Sequence, residues 1–457
     1  MFSIEPEKRR WRDSTGFKMI AIGGLVLLLL IPLGMVESLI QEREHRRTEA
    51  ADEVASTWGK CQLLGGPVLT VPYQQHSKDD KGKDYVSVSY ARFLPADLRI
   101  EGKVLPEKRN RGIFEAVVYR ADLRWTGSFQ RPSFAAWKVA PQDVLWSGAY
   151  LSVGVPDLRG IRSAVAIHWS QRALQFQPGG VEEGLWDSGL RVPVPDLAAG
   201  KEGDSYRFAF DLGLNGSRQL QFLPLGQQTT VSLSSPWPSP SFNGAVLPES
   251  HHVTDQGFDA AWSRSWFNRS YPQQWRQEEA EKLAAKSALE GSAFGVELFL
   301  PVDSYQKTER SAKYGTLFLV LTFLTFFLYE VFSAVPLHPM QYLLVGAALC
   351  LFYLLLLSIS EHVPFGLSYL VAAAATVLLI GGYSAAVLRG RLRALLMTAV
   401  LAVLYGYLYV LLQLEDYALL LGSVGLFLIL ALVMFLTRRI DWGSPRRKIP
   451  EEVVTPG

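Results

Sequence analysis

Glu361 and His362 stand side by side at the end of an apolar run, and Glu415 and Asp416 lie in a short turn between two others. Asp303, Arg310 and Lys313 precede a further run. Carboxylates and cations gathered at the ends of apolar segments can pair across the water boundary and shift one another's protonation. The spacing therefore predicts a membrane-edge polar cluster of Asp303, Arg310, Lys313, Glu361, His362, Glu415 and Asp416. Such a cluster would lock a soluble domain onto a membrane bundle or pass a signal between them. The plainer alternative is that helix-end charges mark where water begins. A proton relay would place its acids deep within a span, and these lie at the ends. At the opposite edge, Glu330 and His338 flank a turn that contains Pro336 and Pro339. Each proline fixes φ and disfavours helix before it, so a tight helix-to-helix turn is expected, with a cytoplasmic contact such as a lipid headgroup as the alternative.

Other chemistries find little support. His251 and His252 with Asp255 lack the spacing of a zinc helix or knuckle and are read as a polar surface loop. The chain has no G-x-S-x-G elbow and no phosphate-binding G-x-x-x-x-G-K-[ST] loop, so no catalytic residue, metal or cofactor is expected. With a formal net charge of +2, nucleic acid is not an expected partner. Two cysteines, Cys61 and Cys350, fall in segments that should not meet, so no disulfide is expected, and Cys61 is read as a structural thiol. Trp237, Phe242, Phe258, Trp262, Trp266 and Phe267 are dense enough to be core or interdomain packing, with a ligand or partner groove as the sharper reading.

These residues need two kinds of scaffold. Residues 41–312 have a soluble composition, whereas 314–436 is almost uncharged. Apolar stretches of roughly 20 residues can cross a bilayer as helices. Five are expected at 314–332, 341–359, 367–388, 394–412 and 418–436, and an uncleaved anchor at 19–40 makes six. The charged, helix-forming residues after the anchor predict that its helix continues into water. From Gly65 the pattern becomes β. Period-two alternation predicts strands at 85–93, 113–125, 163–169, 173–177, 206–214, 219–223 and 229–234, with a short run at 67–72 and a last strand at 294–302. Helix is expected only at 273–289. The fold class is thus a six-span membrane α-helical bundle with a large β-rich, antiparallel sandwich-like domain inserted after the first span. The corresponding divisions are 1–18, 19–40, 41–313, 314–436 and 437–457.

Lysine and arginine excess marks cytoplasmic loops. The basic N-terminus, Arg389, Arg391 and Arg393, and the tail with Arg438, Arg439, Arg446, Arg447 and Lys448 fall on one side. Both termini are therefore expected in the cytoplasm and the β-rich domain in the periplasm. Arg43, Arg46 and Arg47 sit on the minority side, interleaved with glutamates.

Several stretches then resemble one family in order along nearly the whole chain. They are Trp237 to Gly244, Gly257 to Trp262 with Ser265 to Phe267, and Asp303-x-Tyr305-x-x-Thr308-x-Arg310-x-x-Lys313-Tyr314. Leu337 to Gly346, Ser360-Glu361-His362, Leu419 to Gly422 and Arg439 to Trp442 follow. This pattern resembles the CreD family of bacterial inner-membrane proteins. The resemblance implies an inner-membrane location, a periplasmic domain, and an association with envelope integrity and the CreBC two-component regulon. It supplies no catalytic residue. The expected function is non-catalytic binding or docking through the periplasmic domain, with the lipid bilayer and an envelope protein or ligand as partners. The alternative is a small-molecule or lipid transporter or channel formed by the bundle. Few deep ionisable residues and no evident repeat argue against it.

Overall fold

The computed structural model describes residues 15–78, 84–179, 185–195, 197, 203–280, 285–298, 304–333, 337–387, 391–414 and 417–438. The chain divides into two compact units, Met1–Arg46 with Val302–Gly457, and Arg47–Pro301.

The helices run in order as α1 (Thr15–Trp58), α2 (Gln277–Ala280), α3 (Ala285–Glu290), α4 (Ser304–Lys313), α5 (Gly315–Ser333), α6 (Pro339–Ser360), α7 (Phe365–Val387), α8 (Arg391–Gln413) and α9 (Ala418–Thr437). Six of them, α1 and α5–α9, are long and apolar enough to cross a membrane. The ends of α5–α9 fall within a few residues of the expected ones, because an apolar run must fill the hydrocarbon thickness whatever it packs against. The first helix continues unbroken for 44 residues, with Pro32 inside it. In α9 only Ala418 is buried among neighbours, as suits a helix whose solvent is lipid.

The unit Arg47–Pro301 holds the strands. The first six are β1 (Gln62–Lys78), β2 (Asp84–Phe93), β3 (Asp97–Arg111), β4 (Phe114–Gln130), β5 (Tyr150–Gly154) and β6 (Ala166–Trp169). Next come β7 (Arg172–Gln175), β8 (Gln177–Pro178), β9 (Gly189–Pro193), β10 (Ser205–Ser217), β11 (Gln219–Phe222) and β12 (Gln228–Ser235). The last are β13 (Pro240–Gly244), β14 (Ser250–Thr254), β15 (Gly257–Ser265), β16 (Gln274–Arg276) and β17 (Phe294–Leu298). One sheet has the order β13-β17-β11-β1-β5-β9-β8, with β2 beside β1 and β16 beside β2. The other has the order β14-β15-β12-β3-β4-β10-β6-β7. Most neighbours are antiparallel, but β1 with β11 and β3 with β12 run parallel.

Alternation explains the core. Along β10, Tyr206, Phe208, Phe210, Leu212 and Leu214 face inward while their neighbours face out. The inner faces of the two sheets share one hydrophobic cluster. Aromatic rings bridge them: Trp125 of β4 lies 6.2 Å from Phe222 of β11, and Trp262 of β15 lies 5.8 Å from Phe294 of β17. Phe242 of β13 packs edge-on against both Phe258 and Trp262.

Four expectations change. The run at 67–72 is part of a strand of 17 residues, and Pro67 is accommodated at a register irregularity between Gly65 and Val68. Residues 274–276 of the expected helix pair with Ala91–Phe93 as a strand instead, because Trp275 is buried against the core. His251 and His252 form part of the edge strand β14, paired with β15, and are not in a loop. Of the aromatic set, Trp266 and Phe267 stand outside the core, exposed by 41% and 82%.

The chain enters the β unit through a tightly held corner. Trp58 donates its indole N–H to the Tyr119 carbonyl at 3.2 Å and lies beneath Arg109 and Arg120. Burial pushes the Tyr119 phenol well above its usual range. Asp157 accepts from the Lys60 backbone at 3.1 Å and from the Arg159 guanidinium at 2.9 Å. The Arg159 bond holds the Asp157 carboxyl below the usual carboxylate range.

Candidate functional site at the two ends of the membrane unit

Leu29, Leu33, Val36 and Ile40 are the buried positions in the apolar part of α1. Their alternating four- and three-residue steps make a single stripe, the spacing that keeps one face of a helix against its neighbours. Two glycines receive it. A Cβ on Gly346 of α6 would overlap Leu29, and one on Gly315 of α5 would lie 2.8 Å from the Leu33 side chain. Small residues allow such close approach where lipid offers no hydrophobic drive for association. The thiol of Cys350 lies 3.8 Å from the Leu29 carbonyl, so it is enclosed by α1.

Charge closes both ends of this seam. At one end, Lys18 of α1 pairs with Glu330 of α5, whose carboxylate also accepts from the Tyr342 hydroxyl of α6 at 3.1 Å. Glu330 is 3% exposed, and an unpaired charge there would be costly, so the lysine and the tyrosine are what allow it to sit inside the bundle. His338 caps α6: its Nδ1 accepts from the Met340 backbone at 3.2 Å, and its own amide donates to Gln341 Oε1 at 3.0 Å. This satisfies donors that a helix start leaves open. Glu330 and His338 therefore act on neighbouring elements, the first as a charge partner and the second as a cap.

At the other end Glu361 accepts from the Tyr305 hydroxyl of α4 at 3.1 Å and faces Arg43 of α1 at 3.7 Å. Arg43 continues the α1 stripe one step past Ile40, which is why it reaches the end of α6. Lys307 donates to Gln413 at the end of α8 at 3.4 Å and lies over the Phe365 ring of α7. Lys313 pairs with Glu309 of its own helix at 3.0 Å, Arg310 is half-buried on that helix, and His362 is exposed. Asp303, Glu415, Asp416 and Pro336 lie outside the described residues. Glu361 thus meets Arg43 and Tyr305, both of its own unit. Neither is legible as its partner in the sequence alone. The signal for Arg43 is the four-three stripe, and for Tyr305 its place in the first turn of an amphipathic helix.

The two clusters lie at matching depths. At about 1.5 Å per residue, Tyr342 to Glu361 rises roughly 28 Å along α6, close to a hydrocarbon core of about 30 Å. Between them the interior is filled by rings. Phe352 lies 4.7 Å from Tyr405 and 5.6 Å from Tyr369, and the Tyr369 hydroxyl is satisfied by the Tyr405 carbonyl at 2.7 Å.

The histidine pair and the two thiols are the remaining candidates. Among the described residues no group of three or more His, Cys, Asp or Glu side chains could hold a metal ion, and His251 and His252 are exposed on their edge strand. Both thiols are free; Cys61, read as structural, is exposed at the turn into β1, while Cys350 is buried.

Span-length helices ion-paired at both ends of their seam, in one chain with a two-sheet β unit, define a multi-pass membrane protein. The family described as Inner membrane protein CreD matches residues 14–443. Inner membrane protein CreD of Escherichia coli (strain K12) is 34% identical over 449 residues, which cover 96% of this chain and 97% of that one. The chain belongs to the CreD family and is a multi-pass protein of the inner membrane.

Proposed function

We propose that the chain supports cell-envelope integrity as a non-catalytic membrane scaffold that carries its β unit outside the cytoplasm to bind an envelope protein or ligand there. Both termini are then cytoplasmic. The observation that carries this reading is the closed interior of the span bundle, where Phe352, Tyr369 and Tyr405 pack against one another in mid-span. A packed aromatic centre suits a rigid support better than an aqueous path. The orientation is supported by the arginines at 389, 391 and 393 and by the basic ends of the chain, against loops 360–366 and 413–417 that contain no lysine or arginine.

Cys61 provides the test of orientation. In cells with a permeabilised outer membrane, a membrane-impermeant maleimide is expected to label exposed Cys61 and to spare buried Cys350 until denaturation. Labelling only after the inner membrane is lysed would invert the topology. For the scaffold itself, a deletion strain complemented with the intact chain should regain resistance to envelope stress. Selective solute flux in proteoliposomes, lost together with that resistance in a mid-span variant, would replace the scaffold with a transporter.

A further inference from the structure

The outer face of the eight-stranded sheet is not covered evenly by long polar side chains, as an exposed sheet face usually is. On β12 the outward positions are Gln228, Thr230, Ser232 and Ser234, and on the adjacent β15 they are Asp259, Ala261, Ser263 and Ser265, with the Gln228 amide donating to the Ser263 hydroxyl at 2.8 Å. Two neighbouring strands thus present a strip of small, mostly hydroxylated residues. The strip runs from the Ser234–Asp259 pair to the Gln228–Ser265 pair. At about 3.3 Å per residue its length is roughly 20 Å.

Longer side chains make this strip a trough. Arg99 and Glu101 of β3, ion-paired at 2.6 Å, rise along one side, and His252 of the edge strand, the cross-strand neighbour of Asp259, lies along the other, while His251 turns to the opposite face against Phe242. They flank a shallow, open concavity of about 600 Å³ with Ser232 and Ser234 in its lining. A second concavity of about 390 Å³ continues it across β3, β4 and β10, sharing Glu101, Gly102 and Ser234 with the first. Across both, cations and carboxylates alternate in near balance: Arg124 is the cross-strand neighbour of both Glu101 and Asp211, and Lys103 is that of Asp122. Such a lining attracts neither a polyanion nor a polycation. It offers carboxylates, hydroxyls and guanidinium groups to a ligand that both donates and accepts hydrogen bonds along its length.

At the far end of the strip the chain turns through Trp266–Asn268, where Trp266 and Phe267 stand exposed with ring centroids 5.1 Å apart. Their turn is firmly buttressed. The Trp266 amide donates to the Gln227 carbonyl at 2.8 Å, Arg269 donates to the Leu225 carbonyl at 2.8 Å, and the Tyr271 hydroxyl donates to the Pro224 carbonyl at 3.0 Å. Two large rings held in water on a fixed turn are preorganised for a contact, since little conformational freedom remains to be lost when they are covered.

We infer that this trough binds an extended, uncharged glycan chain. Its hydroxyls would lie against the Ser/Thr strip and the flanking carboxylates, and the apolar face of a sugar ring would rest on the Trp266–Phe267 pair. The balanced charge disfavours nucleic acid and anionic lipid, and a floor without apolar pockets disfavours a peptide read by its side chains. The inference deepens the proposed binding role by naming its ligand class, and it holds whichever side of the membrane the β unit faces.

The test uses the full chain in nanodiscs, titrated with chitohexaose, maltohexaose, and an extended Gly-Ser peptide of similar length as comparator. Binding is read by calorimetry and by tryptophan fluorescence. Saturable binding of one oligosaccharide is expected, with no binding of the peptide. Ser234→Trp, which fills the floor of the trough, should abolish it. Trp266→Ala should weaken it roughly three- to tenfold, while leaving the elution volume and circular dichroism unchanged. Absence of binding by either oligosaccharide, binding unaffected by both substitutions, or preferential peptide binding would each overturn the inference. The Cys61 labelling experiment is independent of these outcomes, so failure of the glycan site and failure of the outward orientation are told apart.

Discussion

The two units of this chain solve the same packing problem in opposite solvents. In the β unit, water drives large aromatic side chains inward, and rings such as Trp125, Trp262 and Phe294 tie two sheets together. In the membrane unit lipid is as apolar as leucine, so exposing Leu419, Phe427 or Leu430 costs little. Specificity there comes from glycines that admit a neighbour and from a few polar pairs at the span ends. Stability should accordingly depend on apolar volume in one unit and on fit and charge in the other.

Four substitutions would break or sharpen that contrast. Trp262→Ala removes a fully buried ring between the sheets and is expected to cost about 3–5 kcal/mol. Thermal melting and limited proteolysis in nanodiscs should show the β unit destabilised while the spans remain protected, and equal loss in both units would count against their independence. Glu330→Ala leaves Lys18 and the Tyr342 hydroxyl without their carboxylate. A cost of about 2–4 kcal/mol is expected, discounted from the fully buried case because Lys18 is partly exposed. The double exchange Lys18→Glu with Glu330→Lys should recover part of it, whereas no recovery would show that packing rather than charge holds that end.

Gly346→Val drives a methyl group into Leu29 and should cost about 1–3 kcal/mol by overpacking. Its readout is Cys350, which α1 encloses. Maleimide should reach that thiol faster in the variant, and unchanged protection would mean that α1 is held without the glycine. The smallest effect concerns pH. Asp157 titrates below its unfolded value, mainly through Arg159, so its contribution is present above the unfolded carboxylate range and is lost as pH falls through the lower folded value. Asp157→Asn should cost roughly 1–2 kcal/mol near neutrality and flatten the acid limb of the stability profile. An unaltered acid limb would assign that limb to other carboxylates.

The same contrast explains what could be read from residue order. Spans are local: an apolar run needs a certain length and little else, so the helices from Gly315 to Thr437 fall within a few residues of their hydropathy limits. Strands with clean alternation, such as β10 and β12, are nearly as local. Residues 274–276 misled because Gln-Trp-Arg carries no strand signal of its own; pairing with β2 and burial of Trp275 outweigh the helical propensity that follows. Trp266 and Phe267 misled in the other direction, since aromatic density predicts burial and the turn that lifts them into solvent depends on Arg269 and distant carbonyls. Among the candidate charges, Glu361 was legible as an edge residue and its partners were not. Arg43 lies far away in sequence and looked like an exception to the charge rule.

Residue order alone therefore determined that this is a membrane chain with six apolar helices, a β-rich insertion and charges at the span ends, because hydrocarbon thickness and strand alternation act on neighbouring residues. Tertiary structure decided which charge meets which, where an α1 leucine finds its glycine, and which face of a sheet is left as a hydroxyl-lined trough. Those outcomes join residues far apart in the chain, and only closure of the packing brings such groups within the few ångströms over which hydrogen bonds and dispersion act.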